Sequence, residues 1–373
     1  MMTLNFVDLF SGAGGMSCGF ERHGSFRPIG AADLEVAKPS YGVGATNCNA
    51  TYERNIGLKP MSADLSKVTP DDISGHFGFT ADDVDVLISC APCTGFSQKQ
   101  SRNHIKSDAR NMLVERTALF VEAWRPTYLI MENVKELIRG RHREHFQNLH
   151  RDLTNLGYEV YAEVHDLATF GLPQRRLRAL LVAKLGGSVA IDIERVSKPR
   201  TVRDAIGHLP PLKAGETDLD DPMHTAPNMK GVSLDRARAI PHDGGSWIDL
   251  KPEDAYLRIP SMRLDQPGSF PDVYGRLAWD KPAPTITREC SHPGNGRYTH
   301  PDQDRLLSVR EMALIQGYPA DYEFLGNLAS RYRQIGDAVP PMISALIAQC
   351  IADDAAGVGR RASGNEQQLR LAV

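Results

Sequence analysis

The chain has 373 residues, of which 41% are hydrophobic and 24% charged, and its formal net charge is -3. These values are typical of a globular protein with one large or two smaller domains, so any nucleic-acid binding must use a local basic surface. Six cysteines in so long a chain do not make a disulfide framework. The N-terminus lacks a signal-peptide pattern, and no run reaches the roughly eighteen apolar residues of a membrane helix, so we expect a cytoplasmic protein.

The first half of the chain alternates short apolar runs with helical patterns. The predicted strands are 4–10, 27–33, 84–90, 127–134, 158–166 and 177–184, and one helical pattern covers 109–124. This alternation predicts an α/β fold with a parallel sheet covered by helices on both faces. Ligand sites in such folds lie at the carboxyl ends of the strands, and the stretch from Asp8 to Gly15, Asp33, Cys93 and Glu132 fall there.

The composition changes after Lys184. The segment 186–301 is rich in Pro, Gly, Asp and Arg and has little periodicity, which predicts a second, smaller domain with many loops. Helical patterns return at 308–318 and 340–356.

The stretch FVDLFSGAGGMSCGF combines a strand, a glycine-rich turn and the start of a helix. Gly12 and Gly14 fit the dinucleotide fingerprint, but Ser17 stands in its third glycine position. Asp33 follows about twenty residues later, where an acid can hold ribose hydroxyls, and Asp64 is a candidate for the end of a third strand. The pattern favours a nucleoside-binding pocket that lacks a phosphate-binding site. The alternative is a tight turn with acidic residues at the surface.

Two cysteines, Cys90 and Cys93, follow the strand 84–90. A structural zinc site would need a second pair of ligands, and a thioredoxin-like pair would open a helix directly, so we predict no metal site. Cys90 belongs to the apolar run and is expected to pack, whereas Cys93 lies in a polar loop and is a candidate nucleophile.

Glu132 ends another apolar strand and could supply a proton donor beside Cys93, although a lone acid there could also cap a helix. The run QRRLR adds Gln174, Arg175, Arg176 and Arg178 before a further strand. These residues fit anion or base-edge contacts, or a solvated strand entry.

Six segments in order resemble the cytosine-5 DNA methyltransferases. They are DLFSGAGGMSCGF, PCTGFS, ENV, QRRLR, RLLSVREMALIQGYP and YRQIGDAVPP, and WDKPAPTIT is also similar. The resemblance implies a Rossmann-like S-adenosylmethionine-dependent methyltransferase fold with a smaller loop-rich target-recognition domain. The implied catalytic domain consists of residues 1–187 and is completed by residues 331–357. Residues 188–330 would form the target-recognition domain, and residues 358–373 would be a disordered tail.

The resemblance also assigns a cofactor pocket for S-adenosylmethionine. Asp33 would hold the ribose and Asp64 the adenine amino group, while Phe10 would lie against the adenine. The remaining residues expected in the pocket are Gly12, Gly14, Gly15, Leu113, Asp337 and Val339.

The catalytic roles implied by the resemblance belong to four residues. Cys93 would be the nucleophile that adds to a flipped-out cytosine and Glu132 the acid beside that base, with Arg176 and Arg178 supporting the base and the catalytic loop. The expected DNA contacts are Ser97, Lys99, Arg102 and Gln174.

The expected partner is double-stranded DNA, and the expected state is a nucleoid-associated monomer with a possible cognate restriction endonuclease. The alternatives are a transfer-RNA methyltransferase on the same scaffold, a catalytically silent DNA-binding homologue and, less consistent with Ser17, a nicotinamide dehydrogenase.

One departure from the family pattern is visible at Asp337, where the family usually has Asn. An added negative charge near the methionine carboxylate leads to the hypothesis of weaker cofactor binding or a changed cofactor preference.

Overall fold

The computed structural model describes residues 3–35, 46–92, 112–140, 143–189, 191–260, 262–263 and 272–358. Within them the chain forms one seven-stranded sheet and eleven α-helices. The strands are β1 (Leu4–Leu9), β2 (Phe26–Asp33), β3 (Met61–Ser62), β4 (Val86–Ser89), β5 (Tyr128–Val134), β6 (Tyr158–Asp166) and β7 (Leu177–Leu185). The helices are α1 (Gly15–Arg22), α2 (Cys48–Ile56), α3 (Pro70–Phe77), α4 (Met112–Trp124), α5 (Glu136–Arg139), α6 (Glu144–Asn155), α7 (Val202–Ile206), α8 (Val232–Ala239), α9 (Val309–Ile315), α10 (Leu328–Asp337) and α11 (Pro341–Ala355).

The sheet has the order β3-β2-β1-β4-β5-β7-β6. Strands β1 to β5 are parallel, and β7 runs antiparallel to both β5 and β6. The predicted Rossmann-like α/β fold is therefore confirmed, but the sheet is mixed rather than wholly parallel. The chain order reverses at β1, whose neighbours are β2 and β4, and ligands of open α/β sheets bind at such a switch point.

The centre of the sheet is buried because its strands are almost continuously apolar. In β1 the side chains of Phe6, Val7 and Leu9 are fully buried, and β4 is buried along its whole length. This pattern is typical of central strands covered on both faces. The strands β1, β2, β4, β5, β6 and β7 begin and end within two residues of the bounds predicted from the sequence.

Clustering of contacts divides the chain into two compact units. The first is Met1–Phe170, Arg176–Val196 and Ala338–Val373, and the second is Gly171–Arg175 and Ser197–Asp337. The sequence predicted that the C-terminal part of the catalytic domain begins at residue 331. In the structure α10 belongs to the second unit, and the C-terminal part of the first unit begins at Ala338. The functional assignment of the two domains stays a prediction.

Helix α11 completes the first unit by packing directly on α1. The Ser344 hydroxyl accepts a hydrogen bond from Gly19 N at 3.1 Å and lies 3.2 Å from Gly15 O. A Cβ on Gly19 would lie 2.2 Å from the backbone nitrogen of Ala345, so only glycine permits this close approach. The glycine turn that precedes α1 is thus fixed by a helix more than three hundred residues away in the sequence.

One helical stretch has the length and average composition of a membrane span, although the sequence contains no unbroken apolar run of that length. It is Leu328–Ala355, and 72% of its most apolar window is buried inside the protein. Such burial is what the core helix of a soluble protein shows, and the run is broken by Pro340, between α10 and α11, and by Pro341, the first residue of α11.

The second unit has, in its described residues, α7 to α10 joined by long loops. Two arginines lie in its interior with fully buried side chains. Arg276 donates to the carbonyl oxygens of Ile240, His300 and Ala237, and Arg305 forms a bidentate pair with Glu311. A buried charge is tolerated only when it is paired and hydrogen-bonded. Here the two arginines connect loops that lack regular backbone hydrogen bonding.

Candidate active site

The glycine turn after β1 has the backbone of a ligand cradle. Phe10, Gly12 and Gly14 have positive φ angles of 60°, 51° and 80°. A Cβ on Gly12 would meet none of the described atoms within 4 Å, so open space lies beside this turn. Among the described residues the backbone at Gly12 thus has room for close approach of a ligand, and the cofactor role of Gly12 and Gly14 stays a prediction. Gly15 begins α1 and is buried.

Asp33 lies at the end of β2, beside the glycine turn. Its Oδ2 accepts a hydrogen bond from Gly12 N at 3.0 Å, and its Oδ1 accepts one from Glu35 N at 2.7 Å. The thiol of Cys48, at the start of α2, lies 3.6 Å from the same Oδ1. Three groups thus orient the carboxylate of Asp33. Its two oxygens have further lone pairs, which can still accept hydrogen bonds from hydroxyl groups.

Asp64 follows β3, the next strand outward in the sheet. Its Oδ1 accepts hydrogen bonds from Ser66 Oγ and Ser66 N, and Lys67 Nζ lies 3.1 Å from Oδ2. The hydrogen bond from Ser66 is the main cause that holds the pKa of Asp64 below its usual value. Asp33 and Asp64 therefore end neighbouring strands, as the topology of a nucleoside pocket requires.

Two other residues expected at the cofactor lie on described elements. Leu113 is in the first turn of α4 and packs against the core that contains the β1–β4–β5 centre. Val339 is buried and follows α10.

Glu132 lies within β5 and is buried between two arginines that the sequence also identified. Its Oε1 lies 2.9 Å from Arg178 Nε and 4.0 Å from Arg176 Nε. The antiparallel pairing of β5 with β7 explains this proximity, because Val134 lies opposite Arg178 and Glu132 opposite Leu180. Arg176 also donates from Nη2 to Ala338 O at 3.2 Å, so it links the acid to the chain that leads into α11.

The predicted nucleophile Cys93, with Ser97, Lys99 and Arg102, lies outside the described residues. The chain that leads to Cys93 is described as far as Pro92 and is fixed to β5. Glu132 N donates to Cys90 Sγ at 3.3 Å, and Asn133 Nδ2 donates to Ala91 O at 3.1 Å. Cys90, expected only to pack, is partly exposed and supports the backbone of Glu132. Asn133 was missed by sequence reasoning, although it sits in the ENV motif.

Gln174, expected to contact DNA, is fully buried in the second unit. Its Nε2 donates to Gln316 Oε1 at 2.7 Å, and its Oε1 accepts a hydrogen bond from Ile286 N at 3.0 Å. Contact with a base would require these bonds to break, and the DNA role stays a prediction.

Asp337, the departure from the family pattern, is paired with a cation. Arg288 Nε donates to Asp337 Oδ2 at 2.7 Å, and Arg288 Nη2 lies 2.6 Å from the same oxygen. Gly336 brings α10 against the backbone that carries Arg288, because a Cβ there would lie 2.6 Å from Arg288 N. The extra negative charge at 337 therefore has a counter-charge, which the sequence did not reveal.

This arrangement defines a class of protein: a Rossmann-like enzyme with a nucleoside-type cradle at β1–β3 and an arginine-bound acid at β5 and β7. A family model for C-5 cytosine-specific DNA methylases matches residues 4–352. The chain belongs to that family, and it is a DNA cytosine-5 methyltransferase, an activity that in this family depends on S-adenosylmethionine.

Individual relatives agree with this assignment. The Type II methylase M.HgiDII of Herpetosiphon aurantiacus is 35% identical, over 98% of this chain and 99% of that protein. The Type II methyltransferase M1.HphI of Haemophilus parahaemolyticus is 33% identical, over 94% of this chain and 87% of that protein. A candidate DNA modification methyltransferase encoded within an E. coli prophage has a similar structure, with a TM-score of 0.69 and 20% identity over 94% of this chain and 99% of that one.

Proposed function

We propose that the cradle of Phe10, Gly12, Gly14 and Asp33 binds S-adenosylmethionine and that Cys93 and Glu132 methylate carbon 5 of a flipped-out cytosine in duplex DNA. The observation that carries this proposal is the fixed position of Glu132. Its carboxylate faces Arg178 at 2.9 Å, and its backbone N–H holds Cys90, three residues before the proposed nucleophile.

The residues present fit the cofactor. Open space beside Gly12 accommodates close approach of a ligand to the backbone, and the oriented carboxylate of Asp33 suits ribose hydroxyls. S-adenosylmethionine supplies, when bound, a methyl group on a sulfonium centre. Asp64, Leu113 and Val339 belong to the same proposed pocket, with Asp64 toward the adenine amino group.

The reaction needs a nucleophile because carbon 5 of cytosine is itself a poor one. Addition of the Cys93 thiolate to carbon 6 makes carbon 5 enamine-like, and a thiolate is both strongly nucleophilic and a good leaving group. Negative charge then develops on the ring, and Glu132 offsets it by sharing a proton with ring nitrogen 3. After methyl transfer carbon 5 loses its proton and Cys93 is eliminated.

Arg178 and Arg176 act on Glu132 in this scheme. Arg178 fixes the acid by a charge-assisted contact, and Arg176 joins it to the backbone at Ala338. The target base must leave the stack, at a cost of a few kcal/mol, before these groups can reach it. Lys99 and Arg102 are proposed phosphate contacts, with Ser97 and Gln174 as further DNA contacts.

We further propose that the protein is the modification partner of a restriction endonuclease. The support is the Type II designation of the two relatives that match almost the whole chain. The proposed substrate is therefore a short specific duplex sequence, chosen by the second unit and methylated in the nucleoid by a monomer.

The test uses DNA in which the cytosines are replaced by 5-fluorocytosine, together with S-adenosylmethionine. Fluorine cannot leave as a proton, so the covalent adduct should accumulate and survive denaturing electrophoresis. We expect the adduct with the unaltered protein and with the control Cys90→Ser, and none with Cys93→Ala. An adduct that persists in Cys93→Ala would refute the assigned nucleophile. The same assay is run with transfer RNA that contains 5-fluorocytosine, and an adduct with this RNA but none with DNA would assign the substrate to RNA.

A further inference from the structure

Ser17 occupies the position of the third glycine of the dinucleotide fingerprint, and its side chain forms hydrogen bonds in the interior of the protein. Its hydroxyl donates to Asp8 Oδ2 at 2.5 Å and lies 2.8 Å from the hydroxyl of Tyr52. All three side chains are buried, with exposures of 1% or less. The three residues form a continuous hydrogen-bonded trio that the proposed mechanism does not use.

The trio joins three elements that adjoin the cofactor cradle, namely β1, α1 and α2. Asp8 belongs to β1, two residues before Phe10, and Ser17 lies in α1, directly after the glycine turn. Tyr52 lies in α2, the helix whose first residue, Cys48, contacts Asp33. A change in the trio therefore acts on both sides of the contact between Gly12 N and Asp33.

The charge state of the trio is sensitive to pH near neutrality. Burial raises the pKa of Asp8 to about 7, the hydrogen bond from Ser17 opposes this shift, and the charge of Asp33 adds to it. Among the described residues, the titratable groups that face Asp8 are Asp33 on β2 and Tyr52 on α2, and Glu21 on α1 acts on Tyr52. Burial raises the pKa of Tyr52 well above its usual value, so the tyrosine stays neutral.

We propose that Asp8, Ser17 and Tyr52 are positioning residues for the cofactor cradle, and that the cradle binds its adenosyl ligand best when Asp8 carries a proton. Ionisation of Asp8 would place a second negative charge beside Asp33 in a dry interior, where like charges disfavour each other strongly. The cradle would then relax away from the geometry in which Gly12 holds Asp33. This inference rests on the proposed cofactor site.

The experiment measures binding of S-adenosylhomocysteine to the full chain by calorimetry between pH 6 and pH 8.5, without DNA. If ligand binding raises the pKa of Asp8 by one unit, affinity should fall about tenfold as pH rises through 7. Asp8→Asn, which is neutral and nearly isosteric, should keep the high affinity across the range. Subtracting its profile from that of the unaltered protein removes the titration of the ligand itself.

Ser17→Ala distinguishes positioning from a merely structural role. The Ser17 hydrogen bond favours the ionised form of Asp8, so its loss should move the midpoint of the affinity profile to higher pH. A second measurement needs no ligand and compares the free energy of unfolding of the unaltered protein with that of Asp8→Asn. The difference should fall as the pH rises from about 4 to 7, because Asp8 keeps its proton in the folded protein and has lost it in the unfolded chain.

The outcomes separate the inference from the function on which it rests. Binding by the unaltered protein with a profile identical to that of Asp8→Asn would overturn the role of Asp8. A midpoint that Ser17→Ala leaves in place would overturn the role of the trio. No binding by the unaltered protein at any pH would overturn the proposed cofactor site, and the inference with it.

Discussion

Arg288 and Asp337 form an ion pair in which Arg288 Nε and Nη2 lie 2.7 Å and 2.6 Å from the same carboxylate oxygen. The pair changes what the departure at position 337 means. A lone aspartate in place of asparagine would add a negative charge near the proposed methionine carboxylate. Paired with Arg288, most of that charge is compensated within the second unit, so its effect should become visible only when the arginine is removed.

We therefore predict that removal of Arg288 alone weakens cofactor binding and that the additional replacement of Asp337 reverses this loss. Arg288→Ala should weaken binding of S-adenosylhomocysteine several-fold, since it removes the counter-charge of Asp337, and Asp337→Asn combined with Arg288→Ala should restore it. Asp337→Asn alone should change affinity little and cost about 0.2–1 kcal/mol of stability, as for other exposed pairs. Calorimetric titration measures the affinities.

The control for this cycle is Arg203→Ala, which breaks the exposed pair with Asp280 at 2.8 Å in the same unit. It should leave cofactor affinity unchanged. If Asp337→Asn alone tightened binding several-fold relative to the unaltered protein, the compensation by Arg288 would be refuted, and the simpler hypothesis from the sequence would stand.

Glu132→Gln should lower the rate of methyl transfer without loss of the fold. Glutamine keeps the shape and cannot share a proton, and a positioned acid contributes on the order of 10²- to 10⁴-fold. We expect kcat to fall within that range while the Kd for S-adenosylhomocysteine changes less than twofold. Single-turnover methylation of plasmid DNA measures the rate, and a rate within threefold of the unaltered protein would remove Glu132 from the chemistry.

Arg178→Lys should lower kcat by roughly 10- to 100-fold, because a single ammonium cannot lie near Glu132 Oε1 and also replace the hydrogen bond of Arg178 Nη1 to Leu177 O. Affinity for S-adenosylhomocysteine should stay the same, since the cofactor cradle lies at other strands. Arg175→Lys serves as the matched control, because Arg175 is adjacent in sequence and exposed. Equal losses in both variants would show that the effect is not specific to Glu132.

The sequence predicted the parts of the fold that depend on local pattern. Six strands were visible as apolar runs, whereas β3 has only two residues and produces no pattern. The antiparallel placement of β7 could not be read from composition, although it is what brings Arg178 to Glu132.

The contacts that define the site chemistry join residues far apart in the chain. Arg288 and Asp337 are 49 residues apart, and Ser17 and Tyr52 are 35 apart. Motif order identified Glu132, Arg176 and Arg178 individually. The sequence placed Asp8 among the residues at the ligand edge of the sheet, but only the fold shows that its side chain meets Ser17.

The buried pair of Arg305 and Glu311 should be essential for the second unit. Arg305 Nη1 and Nη2 lie 2.7 Å and 2.8 Å from the two carboxylate oxygens. Burial alone would raise the pKa of Glu311, but the hydrogen bonds and charge of Arg305 outweigh it and lower that pKa. Arg305→Ala should cost about 3–5 kcal/mol, because it leaves a buried carboxylate without its partner. Urea unfolding measures this loss, and the exposed-pair control Arg238→Ala should cost less than about 0.5 kcal/mol.

His300 should make the protein less stable as the pH falls below neutrality. Burial is the main cause that lowers its pKa to about 4, while the charge of Glu311 acts in the opposite direction. Its Nδ1 accepts hydrogen bonds from Asp302 N and Gln303 N, both at 3.1 Å, which requires that nitrogen to be unprotonated. Between pH 6.5 and pH 4 the unfolded chain binds a proton that the folded protein does not, so the unfolding free energy should decrease by up to about 1.4 kcal/mol per pH unit.

The variant His300→Asn tests this assignment, because an amide oxygen can accept from the same two backbone groups and does not titrate in this range. It should be less stable than the unaltered protein at pH 7 and lose less stability between pH 7 and pH 5. Asp8 contributes with the opposite sign over much of this interval, so the difference between the two proteins, not either curve alone, isolates His300. Parallel curves for the two proteins would show that His300 is not the group whose protonation opposes folding.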